Sequence, residues 1–318
     1  MTSKRGKSVT TTAHQPLPCT LSTAVPREYV HKATMAEVLL TGWQVDRREP
    51  DTFTATAQWP RSHSYYYAAG ERLHDPLLFA ETVRQLLPLL SHAAYDVPFG
   101  HQLIWDRFSF ELNAAALHIE CRPAELHLHI SCHDITHRRG VLSGMAMEVV
   151  ASRDGVHLGT ALSRFTCHSP TVYARLRGRP DGSPTAIPVP PPLAPHHAMR
   201  DRLSDVVLSH AVTANRWQLR VDTDHPVLFD HPVDHAPGML LIEAARQAGH
   251  AASYPSHGVL VGLDNAFGQY AELDAPCWIQ AAPLPGQQPN ETRLTITACQ
   301  HDREIYSAVA TYAHAPAL

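Results

Sequence analysis

Residues 225–247 read HPVLFDHPVDHAPGMLLIEAARQ. A loop rich in His, Asp and Pro closes at Pro237-Gly238 and opens into an apolar run. Met239, Leu240, Leu241, Ile242, Ala244, Ala245 and Ala248 leave almost no polar face, so the spacing predicts a helix buried on nearly all sides. Glu243 and Arg246 nevertheless sit in the middle of it. A buried carboxylate is costly unless it is paired or used. Used, it is a general base whose pKa burial has raised. Paired, it is an ordinary i,i+3 ion pair with Arg246. His235, in the loop before the helix, is a candidate to share proton work or simply a loop hydrogen-bonding residue. The loop's three histidines and two aspartates also raise a metal site, but Pro232 breaks any helical ligand spacing and no second ligand cluster follows. No metal is expected.

The same pattern occurs earlier. Residues 74–85 read HDPLLFAETVRQ, so Glu81, Arg84 and Gln85 repeat as Glu243, Arg246 and Gln247 about half a chain further on. His92-Ala93-Ala94 likewise returns as His250-Ala251-Ala252. This is an internal duplication. The first copy has no glycine at its helix start, which weakens any anion site there.

The elements that must hold these residues are legible in outline. Phe53, Ala55, Ala57 and Trp59 alternate with polar neighbours, a strand signature. A helix is predicted over Leu77–Tyr95, kinked at Pro88, then strands over Leu103–Leu112, Leu117–Arg122, Leu126–Cys132, Ala146–Ala151 and Val156–Phe165. Trp217, Leu219 and Val221, then Leu294, Ile296 and Ala298, alternate in the second copy. The fold class expected is α+β: a tandem, or double, hot-dog fold, each copy a curved antiparallel sheet wrapped around a long buried helix. Two such sheets side by side would cover each other's edges. Residues 1–24 read as a disordered tail, 25–170 as the N-terminal hot-dog domain, 171–200 as a Pro-rich linker and 201–318 as the C-terminal hot-dog domain. Arg175, Arg177 and Arg179, just before the prolines, read as solvated, with docking of an acidic protein as the alternative.

Composition narrows the class. The chain has 318 residues, 44% of them hydrophobic, and a net charge of −4. Two cores are affordable at that length, no basic nucleic-acid footprint exists, and no apolar run approaches the roughly 18 residues of a membrane span. The N-terminus has no apolar core of the secretory kind. Six cysteines without CxxC spacing read as reduced thiols, so a cytoplasmic location is expected.

The run DHAPGMLLIEAARQ, the ExxRQ at both positions and the opening Val30–Trp43, VHKATMAEVLLTGW, together resemble the A-factor synthase family of Streptomyces and related actinobacteria. The likeness covers about residues 25–315. It implies transfer of a beta-ketoacyl group from an acyl-carrier-protein thioester to dihydroxyacetone phosphate, a step toward gamma-butyrolactone-type signals, with no cofactor. On that premise Glu243 is the first candidate base, with Glu81 its counterpart. Gly238 and Met239 offer helix-start N–H groups to the oxyanion. Arg246 or Arg84 would meet the phosphate, and Gln247 is counted with the substrate-binding set. His31, within the opening motif, is assigned no role. Two other functions remain open: a hot-dog hydratase/dehydratase on a related acyl thioester, and a non-catalytic acyl-binding regulatory protein.

Overall fold

The computed structural model describes residues 23–67, 72–178, 185–256, 258–285 and 290–314. Most of the tail expected at the N-terminus therefore lies outside the described residues.

Each half builds the same unit from the same local signals. In the first, β1 (Leu40–Val45) pairs with β2 (Thr52–Trp59), α1 (Pro76–Ala93) follows, and β3 (Gln102–Leu112), β4 (Ala124–Arg138), β5 (Val141–Arg153) and β6 (Val156–His168) complete the sheet. In the second, β7 (Leu208–Thr213), β8 (Arg216–Leu219), α3 (Gly238–Ser253), β9 (Val259–Phe267), β10 (Trp278–Pro283), β11 (Glu291–Gln300) and β12 (Arg303–Ala313) repeat the sequence of elements. The strands form one antiparallel sheet in the order β1-β2-β4-β5-β6-β3-β9-β12-β11-β10-β8-β7. That order reads the same from either end, and β3 and β9 join the halves through Arg107–Glu111 against Gly262–Ala266. Pairing at this seam satisfies a strand edge that each half alone would expose.

Strand alternation sets the faces. In β4, Leu126, Leu128, Ile130 and Cys132 are buried while His127, His129 and His133 point outward. The inner face receives the helices: α1 packs on β1, β3 and β9, and α3 on β7, β9, β10, β11 and β12. Leu77, Phe79, Val83, Leu86, Leu89 and Leu90 of α1 are buried, as are Leu240, Ile242, Ala244, Ala245 and Ala248 of α3. Both helices are enclosed nearly all round, as their sequences predict. Pro88 lies inside α1 without ending it.

Two expectations need correction. Residues 117–122 form no strand. Leu117 ends a short 3-10 turn, only His118 makes a bridge, to Leu73, and Pro123 constrains the backbone that follows. The connector opens with α2 (Pro170–Arg177), with the Ser169 side chain accepting from the Val172 N–H and Gly178 in the left-handed region ending it. Arg177 is not solvated. Its side chain is 4% exposed and paired with Asp234 and Glu272, whereas Arg175 is exposed and Arg179 lies outside the described residues. No described helix is long and apolar enough to cross a membrane.

Candidate active site

A cavity of about 310 Å³ lies where the two halves meet. Its walls come from both copies. Glu81 and Arg84 face it from α1, His31 and Lys32 from the opening motif, and His231, His235, Gly238 and Met239 from the loop and start of α3. Trp105 and Phe267 add aromatic walls from the paired strands β3 and β9. Sequence reasoning matched Gly238 with the carboxylate of its own helix. The fold instead sets the start of α3 against the carboxylate of α1.

At that start, Pro237 is the N-cap residue and supplies no side-chain hydrogen bond. The first helical amides bonded within the protein are those of Leu240 and Leu241, both to the Pro237 carbonyl. The Gly238 and Met239 N–H groups have no protein acceptor among the described residues, so two donors and the positive end of the helix are left for a ligand. Gly238 is glycine because the helix end abuts an indole: a Cβ there would lie 2.9 Å from Trp105 Cε3. Trp105 is fixed in turn by stacking on Phe108 and Phe267, with ring centroids 4.9 and 5.5 Å apart, and by its N–H to Ser163 Oγ at 2.8 Å.

Glu81 is 1% exposed. It accepts from Arg84 Nε at 3.0 Å and Nη2 at 2.8 Å and from Gln85 Nε2 at 2.9 Å, and Lys32 Nζ is 3.1 Å away. Burial raises its pKa, but Arg84 and Lys32 outweigh that and hold it at about 2. Gln85 also ties the opening motif down, accepting from the Leu39 N–H and donating to the Glu37 carbonyl. Beside this group, His31 Nε2 is 2.8 Å from His92 Nε2, and His92 Nδ1 donates to the Val97 carbonyl at 2.6 Å. Burial, then His92, Arg84 and His231, push His31 down to about 3, so it is an uncharged imidazole at neutral pH. His31 and Lys32 are the site residues that sequence reasoning left out. Their signal was there, inside the family-like opening motif, but nothing in the sequence brings that motif to α1.

His235 lines the cavity from the loop before α3. Its Nδ1 is 2.7 Å from Asp234 Oδ1, a pairing that presents the opposite ring nitrogen as acceptor. Burial pushes the Asp234 carboxyl up, and hydrogen bonds from His235, Tyr173 and Arg177 more than reverse that. Asp230 accepts from the Ala33 and Thr34 amides at 2.5 and 3.1 Å, which fastens the loop to the opening motif.

Glu243 does not face this cavity. It is fully buried and accepts from Arg246 Nε at 2.9 Å and Nη2 at 2.6 Å, from Arg200 Nη2 at 2.8 Å, and from Gln247. The expected raised pKa is reversed: burial raises it, but Arg200 and Arg246 bring it to about 2. Arg246 and Asp75 line only a separate space of about 30 Å³. Both ends of the Gln247 amide are spent, Oε1 on the Val207 N–H and Nε2 on the Asp205 carbonyl. These three residues lock the second copy together. The cavity receives Glu81, Arg84, His235, Gly238 and Met239 from the sequence-derived set.

A family model described as the A-factor biosynthesis hotdog domain matches residues 13–169 and 184–315. A protein of Streptomyces virginiae named 2-oxo-3-(phosphooxy)propyl 3-oxoalkanoate synthase is 45% identical across 91% of this chain and 97% of its own. One of the same name from Streptomyces coelicolor is 38% identical across 89% of each, and one from Streptomyces griseus 34% identical across 89% and 93%. Among solved structures, a putative oleoyl thioesterase from Lactobacillus plantarum is similar in fold, with a TM-score of 0.52 at 11% identity over 84% of this chain and 96% of that one.

Proposed function

The chain belongs to the A-factor biosynthesis hotdog family, and we propose from that premise that it is an acyltransferase joining a 3-oxoacyl group to dihydroxyacetone phosphate. The donor is a thioester of acyl carrier protein, and the enzyme works in the cytoplasm beside it. No cofactor takes part. The observation that carries this assignment is the pair of unclaimed N–H groups at Gly238 and Met239, opening into a cavity that also holds cations and an Asp-paired histidine.

The chemistry runs as follows. Arg84 and Lys32 hold the phosphate and the Glu81 carboxylate orients both cations. His235 takes the proton from the acceptor hydroxyl as its oxygen attacks the thioester carbon. The carbonyl oxygen becomes an oxyanion and is met by the Gly238 and Met239 N–H groups and the helix dipole. Collapse breaks the C–S bond, the ester forms, and the His235 proton passes to the departing thiolate. Glu81 is a poor base because its pKa lies at about 2. It keeps its charge and keeps the cations in place.

The test is mass spectrometry of purified protein mixed with a 3-oxoacyl carrier-protein thioester and dihydroxyacetone phosphate. The phosphorylated ester should form, and His235→Gln should reduce it by about 10²-fold or more. Folded protein that yields no ester across several acyl lengths, or that only dehydrates a 3-hydroxyacyl thioester, refutes the assignment.

A further inference from the structure

We propose that Arg177 and Tyr173, on the helix between the two copies, are positioning residues for proton transfer at His235; this rests on the acyl-transfer assignment above. Helix α2 belongs to neither duplicated unit, and its Arg177 side chain is buried against the second copy at 4% exposure. It is fastened to the second copy by polar contacts that converge on one carboxylate. Tyr173 Oη donates to Asp234 Oδ1 at 2.7 Å, the same oxygen that faces His235 Nδ1. Arg177 Nε donates to Asp234 Oδ2 at 2.9 Å, and Nη2 to the Asp234 carbonyl at 3.2 Å. Both carboxylate oxygens are thus held from α2, which fixes the plane against which the imidazole is aligned.

The remaining arms of the same guanidinium fix the opposite wall. Nη1 and Nη2 meet the two oxygens of Glu272 at 2.8 and 2.7 Å. The cation lies 4.2 Å over the Tyr270 ring, which in turn packs edge-on to His235 at 4.7 Å. Residue His235 itself bridges to Glu272 through the backbone. One fork therefore sets the carboxylate behind the imidazole and the aromatic ring beside it. Lysine cannot reproduce this, because a single ammonium has no planar fork.

The groups facing His235 are Asp234 on its own loop, Tyr173 and Arg177 on α2, and Tyr270 and Glu272 after β9. Removing the Arg177 cation takes a positive charge from beside the Asp234 carboxylate that faces the imidazole. The imidazolium is then favoured, so the acidic limb of the kcat/KM profile moves to higher pH. A purely structural role for α2 would not move that limb.

The experiment is a double-mutant cycle on the full chain, with ester formation read by mass spectrometry and folding by thermal melts. Arg177→Ala should lower kcat about tenfold or more and shift the acidic limb upward, with Arg177→Lys restoring little. In a His235→Gln background, Arg177→Ala should lower kcat no further. Tyr173→Phe, which removes one hydroxyl, carries the same test if Arg177→Ala fails to fold. Losses that multiply in the double variant, or wild-type kcat and pH profile in folded Arg177→Ala, overturn the proposal while leaving acyl transfer standing. A wild-type protein that forms no ester overturns acyl transfer and this proposal with it.

Discussion

At the start of α3, Gly238 and Met239 carry N–H groups with no protein acceptor. At the start of α1, the equivalent Pro76 has no N–H, and the Leu77 N–H is taken by the Asp75 carboxylate at 2.8 Å. The residues around the two helix starts correspond just as closely. The His63 ring accepts from the amides of Tyr65 and Tyr66, and the His225 ring from those of Val227 and Leu228. Tyr65, fully buried against His225 and Arg200, thus stands where the open cleft has the smaller Val227. His31 and Met199 share the same left-handed backbone, and Lys32 and Arg200 follow them. Lys32 reaches Glu81 as a single point charge. Arg200 spans the other cleft, bonding Glu243 and the carbonyls of Tyr65 and Tyr67 and lying 3.7 Å from Asp75. One duplicated pattern has therefore produced a cavity of about 310 Å³ at one end and about 30 Å³ at the other. A few side chains at a helix start decide whether a cavity stays open or closes into a brace.

The comparison is broken most severely at Glu243. Glu243→Gln leaves Arg200 and Arg246 buried without their carboxylate, which should cost about 3–5 kcal/mol of stability. Chemical denaturation checks the cost, and the folded fraction should transfer acyl groups at the wild-type rate. Loss of turnover without loss of stability would restore Glu243 to the reaction.

Converting the open cleft into the closed one comes next. Pro237→Asp copies Asp75, so its carboxylate should cap the Met239 N–H. The capped helix should gain about 1 kcal/mol, while kcat falls about 10²–10³-fold for want of that donor. A variant both more stable and fully active would show that these amides do not hold the oxyanion.

Val227→Tyr copies Tyr65 and fills part of the cavity. A drop of about tenfold in kcat/KM is expected, equivalent to about 1–2 kcal/mol of overpacking; steady-state kinetics decide it.

The gentlest perturbation is acid. Glu81 and Glu243 both titrate at about 2 in the fold against 4.5 as free side chains. The unfolded chain thus takes up these protons first, and the contribution of these two carboxylates is complete above about pH 4.5 and lost toward pH 2. His31 has the same sign for the opposite reason. It stays uncharged to about 3 against 6.5 when free, so its part of the loss begins near pH 6.5. Melts from pH 7 downward should decline monotonically. Glu81→Gln and Glu243→Gln should each remove part of the decline below pH 4.5, though only the first alters a cavity residue.

The duplication was legible because ExxRQ is a local signature, and helices buried all round were legible because apolar residues cover every face of their sequences. The wrong partner was chosen for Gly238 for an equally local reason. Glu243 is five residues away in sequence, yet on a buried helix that distance carries it from the exposed end into the packed interior. Arg177 was read as solvated because three arginines before a proline run are ordinarily so. Only a tertiary contact could set it against Asp234 and Glu272.

The sequence by itself determined the repeat, the alternating strands, the two enclosed helices, the free glycine start of α3 and the family likeness, since each depends on neighbours within a few residues. The tertiary structure alone decided that the seam between β3 and β9 sets the start of one helix against the carboxylate of the other. It alone decided that Arg200 fills one cleft while Lys32 leaves the other open. Those outcomes depend on which side chains from distant segments compete for the same buried space, and no local pattern encodes that competition.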